Sequence, residues 1–60
     1  MKYKIMITLW SGDYEDTYTE EYDGVTYYDL ESANKALFNA KVHEVDNERL
    51  ESLRIEVVGS

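Results

Sequence analysis

Thirteen carboxylates, six tyrosines and one histidine are the side chains of this chain best equipped for chemistry, and there is no cysteine. Eight of the carboxylates and five of the tyrosines fall in one run, residues 11–31, SGDYEDTYTEEYDGVTYYDLE, which has no basic residue. The acids are Asp13, Glu15, Asp16, Glu20, Glu21, Asp23, Asp29 and Glu31; the tyrosines are Tyr14, Tyr18, Tyr22, Tyr27 and Tyr28. Carboxylate pairs act as general acid and base when a cleft pushes their pKa values apart, and 60 residues leave little volume for a cleft. Asp13-Tyr14-Glu15-Asp16 resembles the start of a calcium loop, but the D-x-[DN]-x-[DN]-G spacing and the distal glutamate are missing. The lone His43 cannot build a zinc site without several carboxylates converging on it, and near a helix C-terminus it reads as a surface residue favoured by the dipole. No serine or lysine has an evident activating base, and the three glycines form no phosphate-binding loop. The expectation is no catalytic residue, no metal site and no cofactor.

What remains is a charged surface. Outside residues 11–31 five acids stand against six bases, so this run produces the net charge of −7. Nucleic acid and anionic membranes are polyanions and are excluded as direct ligands, whereas a basic protein is favoured. Alternate strand residues stand ~6.6 Å apart, which would draw Glu15, Glu21 and Asp23 into a rail on one face, with Asp16 and Glu20 on the other. Tyrosine supplies rigid contact area at low entropic cost. Some of the acids have structural explanations: Asp29 and Glu31 suit a helix N-terminus, and Glu20, Glu21 and Asp23 could guard an edge strand against aggregation. Asp13, Glu15 and Asp16 have none. The expected partner-binding residues are Asp13, Tyr14, Glu15, Asp16, Tyr18, Glu20, Glu21 and Tyr22, presented to a basic, nucleic-acid-binding surface.

The elements that must position these residues can be read from periodicity. KYKIMITLW, residues 2–10, alternates, with Tyr3, Ile5, Ile7 and Leu9 on one face and Met6, Thr8 and Trp10 on the other. Ser11-Gly12-Asp13 breaks this strand. A two-residue turn at Gly12-Asp13 would set Ile7 against Tyr18, Tyr3 against Tyr22, Thr8 against Thr17, Lys4 against Glu21 and Lys2 against Asp23. A three-residue loop would instead flip every side chain of the second strand and put Thr17 and Thr19 under the core. The two-residue turn is preferred because its pairs are chemically better, although it leaves Glu20 opposite Ile5. Asp23-Gly24 marks a second turn, and Val25–Tyr28 an extended lead-in. Asp29 is an N-cap, and Leu30, Ala33, Leu37 and Ala40 recur at helical spacing, with Ala36 and Phe38 at the edges, over about Leu30 to His43. NERLES is expected as a loop or short turn, followed by a strand from Leu53 to Val58 with Leu53, Ile55 and Val57 inward. A right-handed crossover then places the first strand in the centre. The fold class is α+β: β-β-α-β, a three-stranded antiparallel sheet of order 2-1-3 with one helix on one face.

One domain of this length buries only ~60% of its unfolded surface. Self-association or a partner is therefore the expected support. With one helix covering one face, the other sheet face should expose Met6, Trp10 and Val58; Met6 and Trp10 are candidates for a homodimer contact, and an assembly protein built on them is the alternative function. No window of about 18 apolar residues could span a membrane, the N-terminus lacks a signal-peptide pattern, and the cytoplasm is the expected location.

A very short, cysteine-free, strongly acidic domain with tyrosines among its carboxylates resembles the small inhibitor proteins of phages and mobile elements. Several of these act as DNA mimics against nucleases, glycosylases or CRISPR effectors. The likeness covers composition and residues 11–31, and GVTYYDLESANKALFNAK is also similar to sheet-to-helix junctions of small phage-type proteins. It implies a non-enzymatic, protein-binding inhibitor, acting in the host cytoplasm if phage-encoded.

Overall fold

Alternation over residues 3–10 is realised as the central strand, to which everything else attaches. The computed structural model describes residues 1–59. Its elements are β1 (Tyr3–Trp10), β2 (Thr17–Glu21), α1 (Leu30–His43) and β3 (Leu50–Val57). The sheet order is β2-β1-β3, both pairings antiparallel. This is the β-β-α-β architecture expected of the sequence, with the most apolar strand in the middle.

The register of the first hairpin differs from expectation by two residues. Ile7 stands opposite Glu20, Thr8 opposite Thr19, Leu9 opposite Tyr18 and Trp10 opposite Thr17. Gly12 and Asp13 are the centre of a turn, closed by Tyr14 N–H to Ser11 O at 3.0 Å, but the ladder resumes only where Ser11 N–H meets Asp16 O at 2.7 Å. Tyr14 takes a left-handed φ of 60° between them, so the loop has four residues built on a turn plus one left-handed step. Side chains hold it: Asp13 Oδ1 accepts from Ser11 Oγ at 2.5 Å and from Glu15 N–H at 3.1 Å. A slip of two preserves the faces, because the strand period is two. Tyr18, Glu20 and Tyr22 therefore still lie on the helix side. Lys4 keeps its ion pair with Glu21, now diagonally across the ladder. The Lys2–Asp23 pair does not form: the Asp23 carboxylate accepts instead from Val25 N–H at 3.0 Å and the Tyr27 hydroxyl at 2.6 Å. That local closure, with Gly24 at φ 69°, returns the chain to β1, where Tyr3 and Tyr27 exchange two backbone hydrogen bonds of 2.8 Å.

β3 begins earlier than residue 53. Leu50 and Leu53 are three apart and would point to opposite faces of a regular strand. A bulge at Glu51 (Thr8 opposite Ser52, Leu9 opposite Leu50) puts both against the core.

The helix runs over the expected residues. Asp29 caps it in extended conformation, its Oδ1 accepting from Ser32 N–H at 2.8 Å and its Oδ2 from Ser32 Oγ at 2.9 Å. Lys41 and His43 sit in the last turn, where the dipole favours them. Ala33 and Ala40 face the sheet and are buried, which lets α1 lie close on β1 and β3. The core is small: Ile5, Ile7, Ala40 and Leu53, with Leu9, Tyr22, Tyr27, Leu37, Leu50 and Ile55 packed around it. Leu30 and Phe38, expected on the apolar stripe or its edge, are exposed, as is Val57, expected inward. A fourteen-residue helix on a narrow sheet has room beneath it for its alanines and Leu37 only.

Candidate protein-binding surface

α1 packs on β1 and β3, so β2 stands at the sheet edge with all five residues exposed. Residues 12–21 of the acidic run are thus carried on an arm, a four-residue loop and a bare strand, of a molecule of 37 × 22 × 13 Å. Asp13, Tyr14, Glu15, Asp16, Tyr18, Glu20 and Glu21 are all exposed along it. Tyr18 and Glu20 project on the helix side, Thr17, Thr19 and Glu21 on the other. The hydrogen bond from Tyr22 N–H to Ile5 O fixes the ladder phase: backbone groups of Thr17, Thr19 and Glu21 point outward from the edge.

The charges of the arm are not equivalent. Glu21 is paired with Lys4, and the other ion pair among the described residues is Lys35–Glu31 on the helix. Asp13, Glu15, Asp16 and Glu20 form no ion pair among the described residues. Asp13 is nonetheless held below the usual carboxylate range, first by the Ser11 hydroxyl and then by Glu15 N–H. Its charge is secured by the loop that presents it. One base is nearer than the sequence implied: the Arg49 guanidinium lies 3.7 Å from where a side chain at Gly12 would begin, brought there by Trp10 N–H donating to Arg49 O at 2.7 Å. Nothing in the spacing of residues 12 and 49 foretells this contact.

The tyrosines divide similarly. Tyr14 and Tyr18 are half exposed at 50% and 47%. Tyr22 packs against the core and donates its hydroxyl to Glu44 at 3.2 Å, at the C-cap of α1. Burial first, then that bond, raises its pKa. It ties the arm to the helix. Tyr27 is likewise raised, mainly by its bond to Asp23. Tyr28, which sequence reasoning used only as a lead-in to the helix, is the most exposed tyrosine at 70%.

Met6 and Trp10 are half-buried rather than open. Met6 lies between Glu21 and Arg54 on its two neighbouring strands. Thr8 between them is buried, sharing a 2.7 Å hydrogen bond with Thr19 and accepting from Arg54 Nη1 at 3.2 Å. Val58 is exposed as expected. The uncovered sheet face is a polar lattice with two apolar inclusions.

Among the described residues no group of three His, Cys, Asp or Glu could hold a metal ion, and no helix is long and apolar enough to cross a membrane. Exposed His43 borders a shallow cleft of about 360 Å³ with Tyr22, Asp23, Tyr27 and Asn39. Fold and surface define a small α+β protein with one acidic, tyrosine-bearing arm. No protein-family model, curated protein or solved structure matches it.

Proposed function

We propose that this chain is a non-enzymatic binding protein, an inhibitor that lays its acidic hairpin into a basic, nucleic-acid-binding surface of a partner protein. The supporting observation is the arm itself: a loop and a strand exposed on both faces, with four carboxylates that form no ion pair among the described residues. Asp13, Glu15, Asp16 and Glu20 supply the field, and Glu21 joins them at the base. Tyr14 and Tyr18 are the aromatic anchors. A two-sided strand plus its tip spreads charge over a surface as a duplex backbone does, although at lower density than the one charge per ~1.7 Å of DNA. Association through such a field is fast and falls steeply with ionic strength.

The test is affinity capture on the immobilised protein, followed by competition with nonspecific duplex DNA. Release of the captured protein by DNA, and loss of capture by a variant with Asp13, Glu15, Asp16 and Glu20 all converted to amides, are the expected results. Capture indifferent to about 0.5 M salt, or to those four substitutions, would overturn the reading.

A further inference from the structure

We propose that the outward face of α1 is a self-complementary interface, on which a second copy of this chain docks with its own α1 antiparallel. Leu30, Phe38 and Val42 are 51%, 67% and 58% exposed. With Asn34 they are spaced by four and form one ridge along the helix. An open groove of about 630 Å³ lies along this ridge, lined by Leu30, Glu31, Asn34, Lys35, Phe38 and Asn39. Every residue of its lining belongs to the helix, so the groove is open to solvent and accessible to a second molecule.

Charge selects the occupant and the orientation. The helix begins with Glu31 in its first turn and ends with Lys41 in its last. A two-fold axis crossing at the level of Ala36 sets Glu31 against the partner's Lys41, and the same again on the other side. It also brings Leu30 and the partner's Val42 to the same level, on opposite flanks of the seam. The partner's Phe38 then stands over Asn34, the small polar step between Leu30 and Phe38 where the groove is open. At about 100° per residue, the members of each pair lie on opposite flanks of one line on the helix surface, at the same level, so the long Glu31 and Lys41 side chains meet by reaching across the seam. A parallel arrangement would oppose Glu31 to Glu31 and Lys41 to Lys41. The intrachain Glu31–Lys35 contact is long, 3.9 Å between groups 83% and 76% exposed, and leaves the carboxylate free to turn to Lys41. Repulsion between copies is least here: residues 30–43 carry one acid and two lysines in a chain of net charge −7. Exposed Val45 and Tyr28 lie just beyond the two ends of the helix, where each copy overruns the other. One helix face is a small interface, so the dimer is a reversible one.

Sedimentation equilibrium from about 10 μM to about 1 mM reads this directly. The wild type is expected to show a reversible monomer–dimer equilibrium, and Phe38→Asp to remain monomeric throughout. Glu31→Lys and Lys41→Glu each turn two attractions per dimer into repulsions and should weaken dimerisation about tenfold. Mixing those two variants in equal amounts restores both pairs and should return the dimer to wild-type strength as a heterodimer, a result independent of how Phe38→Asp folds. Trp10→Ala should leave dimerisation unchanged. A wild type that stays monomeric, a dimer surviving Phe38→Asp, an absence of recovery on mixing, or a dimer lost in Trp10→Ala would each overturn the proposal.

Discussion

Among the described residues Ile5 is the one large side chain fully out of water, on the central strand and opposite Ile55. Truncation to alanine removes three carbons, each worth ~0.8 kcal/mol of transfer free energy. The cavity left beneath α1 adds to this, so the cost should be about 3 kcal/mol, within the ~2–5 kcal/mol range for such changes. A chain of this size has a total stability of about 3–9 kcal/mol, so Ile5→Ala should take up a third or more of it. With a urea slope near ~1 kcal/mol/M for a small domain, the unfolding midpoint should fall by about 3 M. Urea titration followed by Trp10 fluorescence and by far-UV circular dichroism measures the shift. Val57→Ala, at an exposed position of β3, is the control and should move the midpoint by less than about 0.5 M. Equal, small shifts in both variants would refute the placement of the core at β1 and the helix.

Thr8→Val should cost about 1 kcal/mol, because it strands the Thr19 hydroxyl and the Arg54 guanidinium that now share Thr8 Oγ1; thermal denaturation is sufficient to detect it. Gly24→Ala places a Cβ on a left-handed backbone and should destabilise by about 1–2 kcal/mol in the same assay. In alkali, the raised pKa values of Tyr22 and Tyr27 mean that their contribution is fully present below the unfolded value near 10 and is lost as pH rises through the folded ones. Stability should therefore decline from about pH 10 upward, and Tyr27→Phe should flatten that decline. In acid the sign reverses. Asp29 is held low, first by Ser32 N–H, so its contribution is present above about pH 4 and lost as pH falls through its folded value; Asp29→Ala should remove that part of the acid limb, as urea midpoints across pH would show.

What could be read from residue types was whatever a local rule decides. Asp29, Ser32 and the alanine stripe define α1 because capping and a 3.6 period act within a few residues. Strand order follows from the handedness of one crossover. The hairpin register escaped because it depends on Tyr14 adopting a left-handed conformation, which no property of tyrosine announces. The start of β3 escaped because a spacing of three between Leu50 and Leu53 contradicts the strand period until a bulge is allowed at Glu51. Exposure was misjudged in both directions for one reason. Leu30 and Phe38 lie open, and Met6 is half covered, because coverage depends on the width of the sheet and the length of neighbouring side chains. On the arm, sequence identified the acids and tyrosines and anticipated the Lys4–Glu21 pair, but it could not tell that Tyr22 is occupied internally, since Glu44 reaches it only through the fold.

The two ends of the described chain lie side by side. Lys2 N–H donates to Gly59 O at 2.9 Å and Val58 N–H to Lys2 O at 2.8 Å, at the pole of β1 farthest from the Gly12–Glu15 loop. Any polypeptide continuing from either end leaves the molecule there, away from the hairpin. A tether, a fluorescent label or a second unit in tandem can be joined at this pole with the acidic loop unobstructed. A circular permutant linked across Lys2 and Gly59, and reopened in the turn at residues 45–48, would retain all three strands in place.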